Sequence, residues 1–270
     1  MKNHLSIFIT LAAGLLLGCS KSNDVVPEKE LPALPAITVV ASGEYNVTLK
    51  GDTEAKMTTG DGNFKPVYYS LEDGRVVPAE YANTDKWDIA FTGIYNSSIW
   101  ANHGEVVFDN GNKGPGYGSP ARGGLFLVTD PTVEVKYYDS EKQRPVQVPI
   151  PKILLDEAYS NVKTVSINDN QLLSKGFLTL DYFLGSGAGY AFYDFYGAMF
   201  PGDKERAHIV YNLPRPIVVK TAKGNYVKLI IYSFYKDSPL SPTLKSEAPY
   251  INFKYTILKD GSKDFTKVIN

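Results

Sequence analysis

Apolar and polar residues alternate along most of this chain with the two-residue period of β-strands. YINFKYTIL is the cleanest case: Ile251, Phe253, Tyr255 and Ile257 face one side, and Asn252, Lys254 and Thr256 the other. Strand signals begin at AITVVAS, from Ala36, and recur in EVVFDNG, GGLFLVT, VEVKYYD and GFLTLDYF. KPVYYSLEDGRVVPAEY reads as a hairpin turning at Glu72-Asp73-Gly74. IVVKTAKGNYVKLIIYSFY reads as a second, turning at Ala222-Lys223-Gly224-Asn225. Between them KWDIAF places Trp87, Ile89 and Phe91 on one face of a strand. Asp88 stands on the other face, where a buried carboxylate must accept hydrogen bonds from a neighbouring turn. The motif reads as core, not as a reactive site.

Helix signals are few. PKILLDEAYSNV predicts one short helix, with Pro151 in a first turn that tolerates it. NDNQLLSKG predicts another turn or so, capped by Asn168 or Asp169 and ended by Gly176. Short strands joined by Gly- and Pro-rich turns, with one or two short helices, make an all-β domain. The 270 residues allow one large domain of this kind or two smaller ones, and no boundary or fixed-period repeat divides the chain after its N-terminal region. Aromatics at 13%, including 19 tyrosines, suit pleated, half-buried surfaces rather than helix bundles.

The N-terminus changes the picture. Lys2 precedes an apolar run from Leu5 to Leu17 that is too short to span a bilayer comfortably. The run ends at Leu16-Leu17-Gly18-Cys19, which resembles the lipobox of bacterial lipoproteins, and Cys19 is the only cysteine. The expected organisation is a lipoprotein signal peptide over 1–18, a lipidated Cys19 with a flexible, proline-bearing tether over 19–35, and a single β domain over 36–270. Such a chain has no internal disulfide. Ser20, rather than Asp, follows the cysteine, which in Gram-negative lipoproteins goes with the outer membrane; the leaflet, periplasmic or surface-facing, stays open.

Several chemistries are disfavoured. A net charge of -1 gives no basic patch for nucleic acid. NGNKGPGYGSPARGG and GSGAGY lack the order and spacing of phosphate-binding loops. His4 leaves with the signal, and neither His103 nor His208 sits in a nucleophile elbow or a metal-ligand cluster. No catalytic residues are expected.

Four pieces in order, PVYYSLEDGRVV, DKWDIAF with Asn96-Ser97 after it, PIVVKTAKGNYVKLIIYSFYKDSP and APYINFKYTILKDGS, resemble the HmuY family of lipid-anchored haem-binding proteins, from about Tyr45 to Phe265. The resemblance implies a largely antiparallel HmuY-like β domain that takes haem from solution or host haemoproteins. It would then pass the haem to a TonB-dependent outer-membrane receptor. It also implies axial iron ligands, His or Met in the family's members. The mature chain offers His103, His208, Met57 and Met199. The resemblance puts one ligand in FYGAMFPGDKERAHIVYNLPRP, where Met199 and His208 are the candidates. It puts the other in RPVQVPIPKILLDEAYSNV, which has neither His nor Met and leaves Tyr159 as its candidate. That departure keeps an alternative open: an HmuY-like surface lipoprotein that has lost haem ligation and binds another ligand or a partner protein.

Overall fold

The computed structural model describes residues 30–55, 64–106, 111, 113–173, 176–178, 181–182 and 189–268. Cys19 and Met57 lie outside the described residues, as does most of EVVFDNG. Along the chain run β1 (Gly43–Lys50), β2 (Val67–Ser70), β3 (Arg75–Val77), β4 (Ile89–Thr92), β5 (Ser98–Ala101) and β6 (Gly124–Leu127). Next come helix α1 (Pro131–Glu134), β7 (Tyr138–Asp139), β8 (Arg144–Pro145) and helices α2 (Lys152–Asn161) and α3 (Asp169–Leu173). The remainder is β9 (Phe177–Leu178), β10 (Asp181–Tyr182), β11 (Ala191–Asp194), β12 (Ile209–Asn212), β13 (Ile217–Lys220), β14 (Tyr226–Ser233) and β15 (Tyr250–Leu258). The protein is all-β and largely antiparallel; among the described pairs only β10 and β11 run parallel.

Two five-stranded sheets make the frame, β1-β15-β14-β13-β6 and β3-β2-β4-β5-β9, beside a three-stranded sheet β10-β11-β12 and the ribbon β7-β8. The alternation in β15 is realised: Ile251, Phe253, Tyr255 and Ile257 are buried. Phe253 meets Tyr69 at 5.6 Å and Phe91 at 6.0 Å, ring centre to ring centre, so the main core lies between the two large sheets. Both hairpins form with the expected turns. Asn168 caps α3: its side chain accepts from Gln171 N–H at 2.9 Å, and Gln171 returns a bond to the Asn168 N–H.

Three sequence expectations are corrected. AITVVAS is not a strand. The N–H groups of Thr38 and Val39 both donate to the Asp73 carbonyl, so no ladder forms, and the first strand is GEYNVTLK instead. VEVKYYD begins as helix α1, since Asp130 caps the N–H of Thr132 and Pro131 is preset for a first turn. KWDIAF does not place its three large residues together. The strand starts only at Ile89. Trp87 belongs with Tyr68, Ala90 and Trp100 in a second cluster on the far side of the sheet, while Ile89 and Phe91 join the main core.

Asp88 explains the break. Its Oδ2 accepts from the Glu72 N–H at 3.0 Å and the Ser70 hydroxyl at 3.2 Å, and its Oδ1 accepts from the Ala222 N–H at 2.9 Å. Glu72 adds bonds from Thr221 Oγ1 and Asn225 Nδ2. One buried carboxylate pair therefore fastens the turn of the first hairpin to the turn of the second.

The outer face of the β1–β6 sheet carries α2 and a third apolar cluster containing Leu172, Val218 and Phe265. There the Lys228 ammonium donates to the carbonyls of Tyr159 and Val162, at 3.2 and 2.9 Å, at the C-terminal end of α2. Among the described residues, no helix is long and apolar enough to cross a membrane.

Candidate functional site

The chain between β11 and β12 closes on one residue. The buried carboxylate of Asp194 accepts from the N–H of Ala198 at 2.7 Å and of Met199 at 3.0 Å, and its carbonyl accepts from the His208 N–H at 2.8 Å. The two candidate ligands of this loop are thus anchored by a common group. Gly197, at φ +67°, is placed where a Cβ would press on Ala207 at 3.3 Å, so the two limbs of the loop run close together.

His208 takes a left-handed backbone, φ 60°, uncommon outside glycine. Its Nδ1 lies 2.9 Å from the hydroxyl of Tyr193, and the edge of Phe195 packs on the ring at 4.6 Å. With Nδ1 engaged, Nε2 is the nitrogen left to face an outside group. Met199 is half-buried against the main core. Tyr196, 73% exposed, stands 4.9 Å from Phe195, and Arg206 lies over Phe200 at 4.1 Å. The loop presents an imidazole, a thioether and aromatic rings in one stretch.

Tyr159 is elsewhere. It is buried on α2, its hydroxyl 2.6 Å from Thr256 Oγ1 and its ring between Lys228 and Lys254. Burial drives its phenol far above the usual range, so the tyrosinate needed to ligate iron is strongly disfavoured there. His103 pairs with Arg122 across an isolated bridge; its Nδ1 is buried without a partner, and burial lowers its pKa. Among the described residues no three His, Cys, Asp or Glu side chains cluster as a metal site.

A cleft of 540 Å³ opens beside the start of α2, floored by Asn46, Asn252 and Tyr232 and walled by Ile150, Leu155 and Leu240. A chamber of 50 Å³ shares its residues Ile150 and Leu155 and reaches β12 at Val210, Tyr211 and Asn212. The two segments to which the resemblance assigned ligands meet at this chamber. Yet neither cavity is lined by a His or a Met. Sequence reasoning missed these lining residues, since a Tyr-Asn pair in a strand carries no signal of its own.

No family model matches the chain, and no curated protein matches its sequence. Among solved structures it is similar to an apo HmuY analog of Tannerella forsythia, at 14% identity over 81% of this chain and 97% of that one, with a TM-score of 0.33. It is also similar to a Bacteroides fragilis protein described as a lipoprotein, at 11% identity over 82% of this chain and 94% of that one, with a TM-score of 0.34. Neither likeness places the chain in a family. Its class rests on its own sheets: an all-β, largely antiparallel protein.

Proposed function

We propose that the protein is a lipid-anchored outer-membrane protein that binds haem without catalysis, for delivery to a TonB-dependent receptor. The observation that carries this reading is the imidazole of His208. Its Nδ1 lies 2.9 Å from the Tyr193 hydroxyl, a contact that would hold the ring and, with the proton on Nδ1, leave Nε2 as the ligating nitrogen. Phe195 and Tyr196 offer flat apolar surface beside it for a tetrapyrrole face. Met199, held by the same Asp194, supplies a thioether within the loop.

Haemin titration of the chain from Ser20 onward, followed by visible absorption in oxidised and reduced states, tests this. The expected result is a saturable one-to-one Soret change that His208→Ala abolishes and Met199→Ala alters on reduction. A flat titration, matching a non-binding control protein, rejects haem. One observation favours a second reading in that event: the 540 Å³ cleft is lined by no His or Met, which suits a surface lipoprotein that binds a different molecule.

A further inference from the structure

We infer that the outer edge of β1 is an interaction surface for β1 of a second copy of this protein, the two strands pairing antiparallel about a two-fold axis at Val47. The inference does not depend on haem binding at His208.

The backbone of β1 faces two ways. Gly51 continues the register of the strand, and its N–H donates to the Pro249 carbonyl at 2.9 Å. In an antiparallel ladder, alternate residues turn both backbone groups toward the same neighbour. Odd-numbered residues of β1 therefore face β15, while Glu44, Asn46, Thr48 and Lys50 turn their N–H and C=O groups the other way. Two further bonds agree. The N–H of Tyr250, opposite Lys50, donates to Phe234 and not to β1, and the N–H of Asp52 is taken by Asn96 Oδ1 at 2.8 Å. β1 ends its sheet, and among the described residues nothing bonds to the outward backbone groups of Glu44, Asn46, Thr48 and Lys50.

Such an edge is a template for another strand unless a proline, a bulge or a covering element blocks it. β1 has no proline in its 8 residues and no bulge in its pairing with β15. The opposite edge of the same sheet differs: β6 has only 4 residues and packs under α3, where a Cβ at Gly124 would strike the Leu172 carbonyl at 2.3 Å.

Charge selects a second copy as the occupant. In the pairing centred on Val47, Glu44 of each copy stands opposite Lys50 of the other, and Asn46 opposite Thr48. These are the residues whose backbone groups are free, and all are exposed. Glu44 lies 3.5 Å from Lys254, too far for a strong hydrogen bond, so its carboxylate keeps acceptor capacity for Lys50. Slipping the partner by two residues one way sets Glu44 against Asp52, a like charge whose N–H is already taken. Slipping it the other way leaves Lys50 opposite Ser42, beyond the end of the strand. On the inner face Val47 meets its copy at the axis and Tyr45 stands opposite Leu49, so the half-buried Tyr45 and Val47 gain apolar neighbours.

Sedimentation velocity over a concentration series of the chain from Ser20 onward tests this. The expected result is a reversible monomer–dimer equilibrium. Asn46→Pro removes one outward N–H, keeps the ladder to β15, and should abolish the dimer. Glu44→Lys and Lys50→Glu each create two like-charge pairs across the axis and should weaken association by about tenfold. An equimolar mixture of those two variants should regain the wild-type strength, because the lysines of one then face the glutamates of the other. Lys50→Glu changes only an exposed side chain, which keeps the test decisive if the proline variant folds poorly; urea unfolding of each variant checks this. A wild-type protein that stays monomeric up to millimolar concentration, a dimer that persists in well-folded Asn46→Pro, or a mixture no stronger than either charge variant alone would overturn the inference.

Discussion

Asp88 Oδ1 accepts a hydrogen bond from the backbone N–H of Ala222, 134 residues further along, at 2.9 Å. Burial pushes the Asp88 carboxyl up to about 6, against hydrogen bonds from Glu72 and Ala222, and the negative Glu72 adds to the rise. The folded state therefore holds a proton that the unfolded chain releases between about pH 4 and about pH 6. This group's contribution to stability is complete below the unfolded value and declines as pH rises through the folded one. The cost of Asp88→Asn should be greatest near pH 4 and shrink by about 3 kcal/mol by about pH 7. Urea unfolding of both proteins across that range checks it; a cost that grows with pH refutes it.

Lys228 gives the opposite slope at the other end of the scale. It is buried with no acid bonded to it, and desolvation lowers its pKa from 10.5 to about 8. Between those values the unfolded chain binds the extra proton, so stability from this group rises with pH. Lys228→Met should cost least at about pH 7, and its cost should grow by about 3 kcal/mol on going to about pH 10.5. Denaturant melts of both proteins at the two pH values measure this directly.

Asp194→Ala leaves the N–H groups of Ala198 and Met199 without their acceptor. We expect a loss of about 2–4 kcal/mol, with amide exchange accelerated at those two positions before β4 is affected. If haem binds at His208, its dissociation should also quicken. Unchanged exchange at Ala198 and Met199 would mean that Asp194 does not organise the loop.

Gly116→Ala tests the cluster around Trp87. A Cβ at Gly116 would lie 2.7 Å from Trp87 Cζ2, and the ring is 0% exposed, with Nε1 tied to the Ala82 carbonyl at 2.9 Å. The ring has no room to retreat, so overpacking should cost about 1–3 kcal/mol. The protein's 2 tryptophans, Trp87 and Trp100, both belong to this cluster, so their fluorescence should report the disturbance while the tyrosine-rich main core keeps its near-native signal.

The elements legible in the sequence are those whose causes are local. Both hairpins, α2, α3 and β15 follow from alternation, turn residues and caps within a few positions. KWDIAF shows where this fails. Its composition gives a buried strand, but Trp87 turns to the opposite side from Ile89, and Asp88 between them answers to Ser70, Glu72 and Ala222. Such partners are set by tertiary structure. AITVVAS has strand-forming residues, yet two of its N–H groups share the single Asp73 carbonyl. At the candidate site, His208 and Met199 stand out by residue type, whereas their shared anchor at Asp194 does not. Tyr211 and Asn212 read as ordinary strand residues; only their lack of partners distinguishes them, and that is a property of the folded chain.

The pairing of β1 with β15 orders events in time. Residues 43–50 find their hydrogen-bonded neighbours at 250–257, and Thr48 bonds to Asn252, 204 positions away in sequence. Loop closure of that length is entropically expensive and slow. During synthesis the first strand must wait, without its native neighbour, until nearly the whole sequence has been made. The sheet β1-β15-β14-β13-β6 is then completed by its earliest segment. Until that moment the edge of β15 that β1 covers lacks its neighbour.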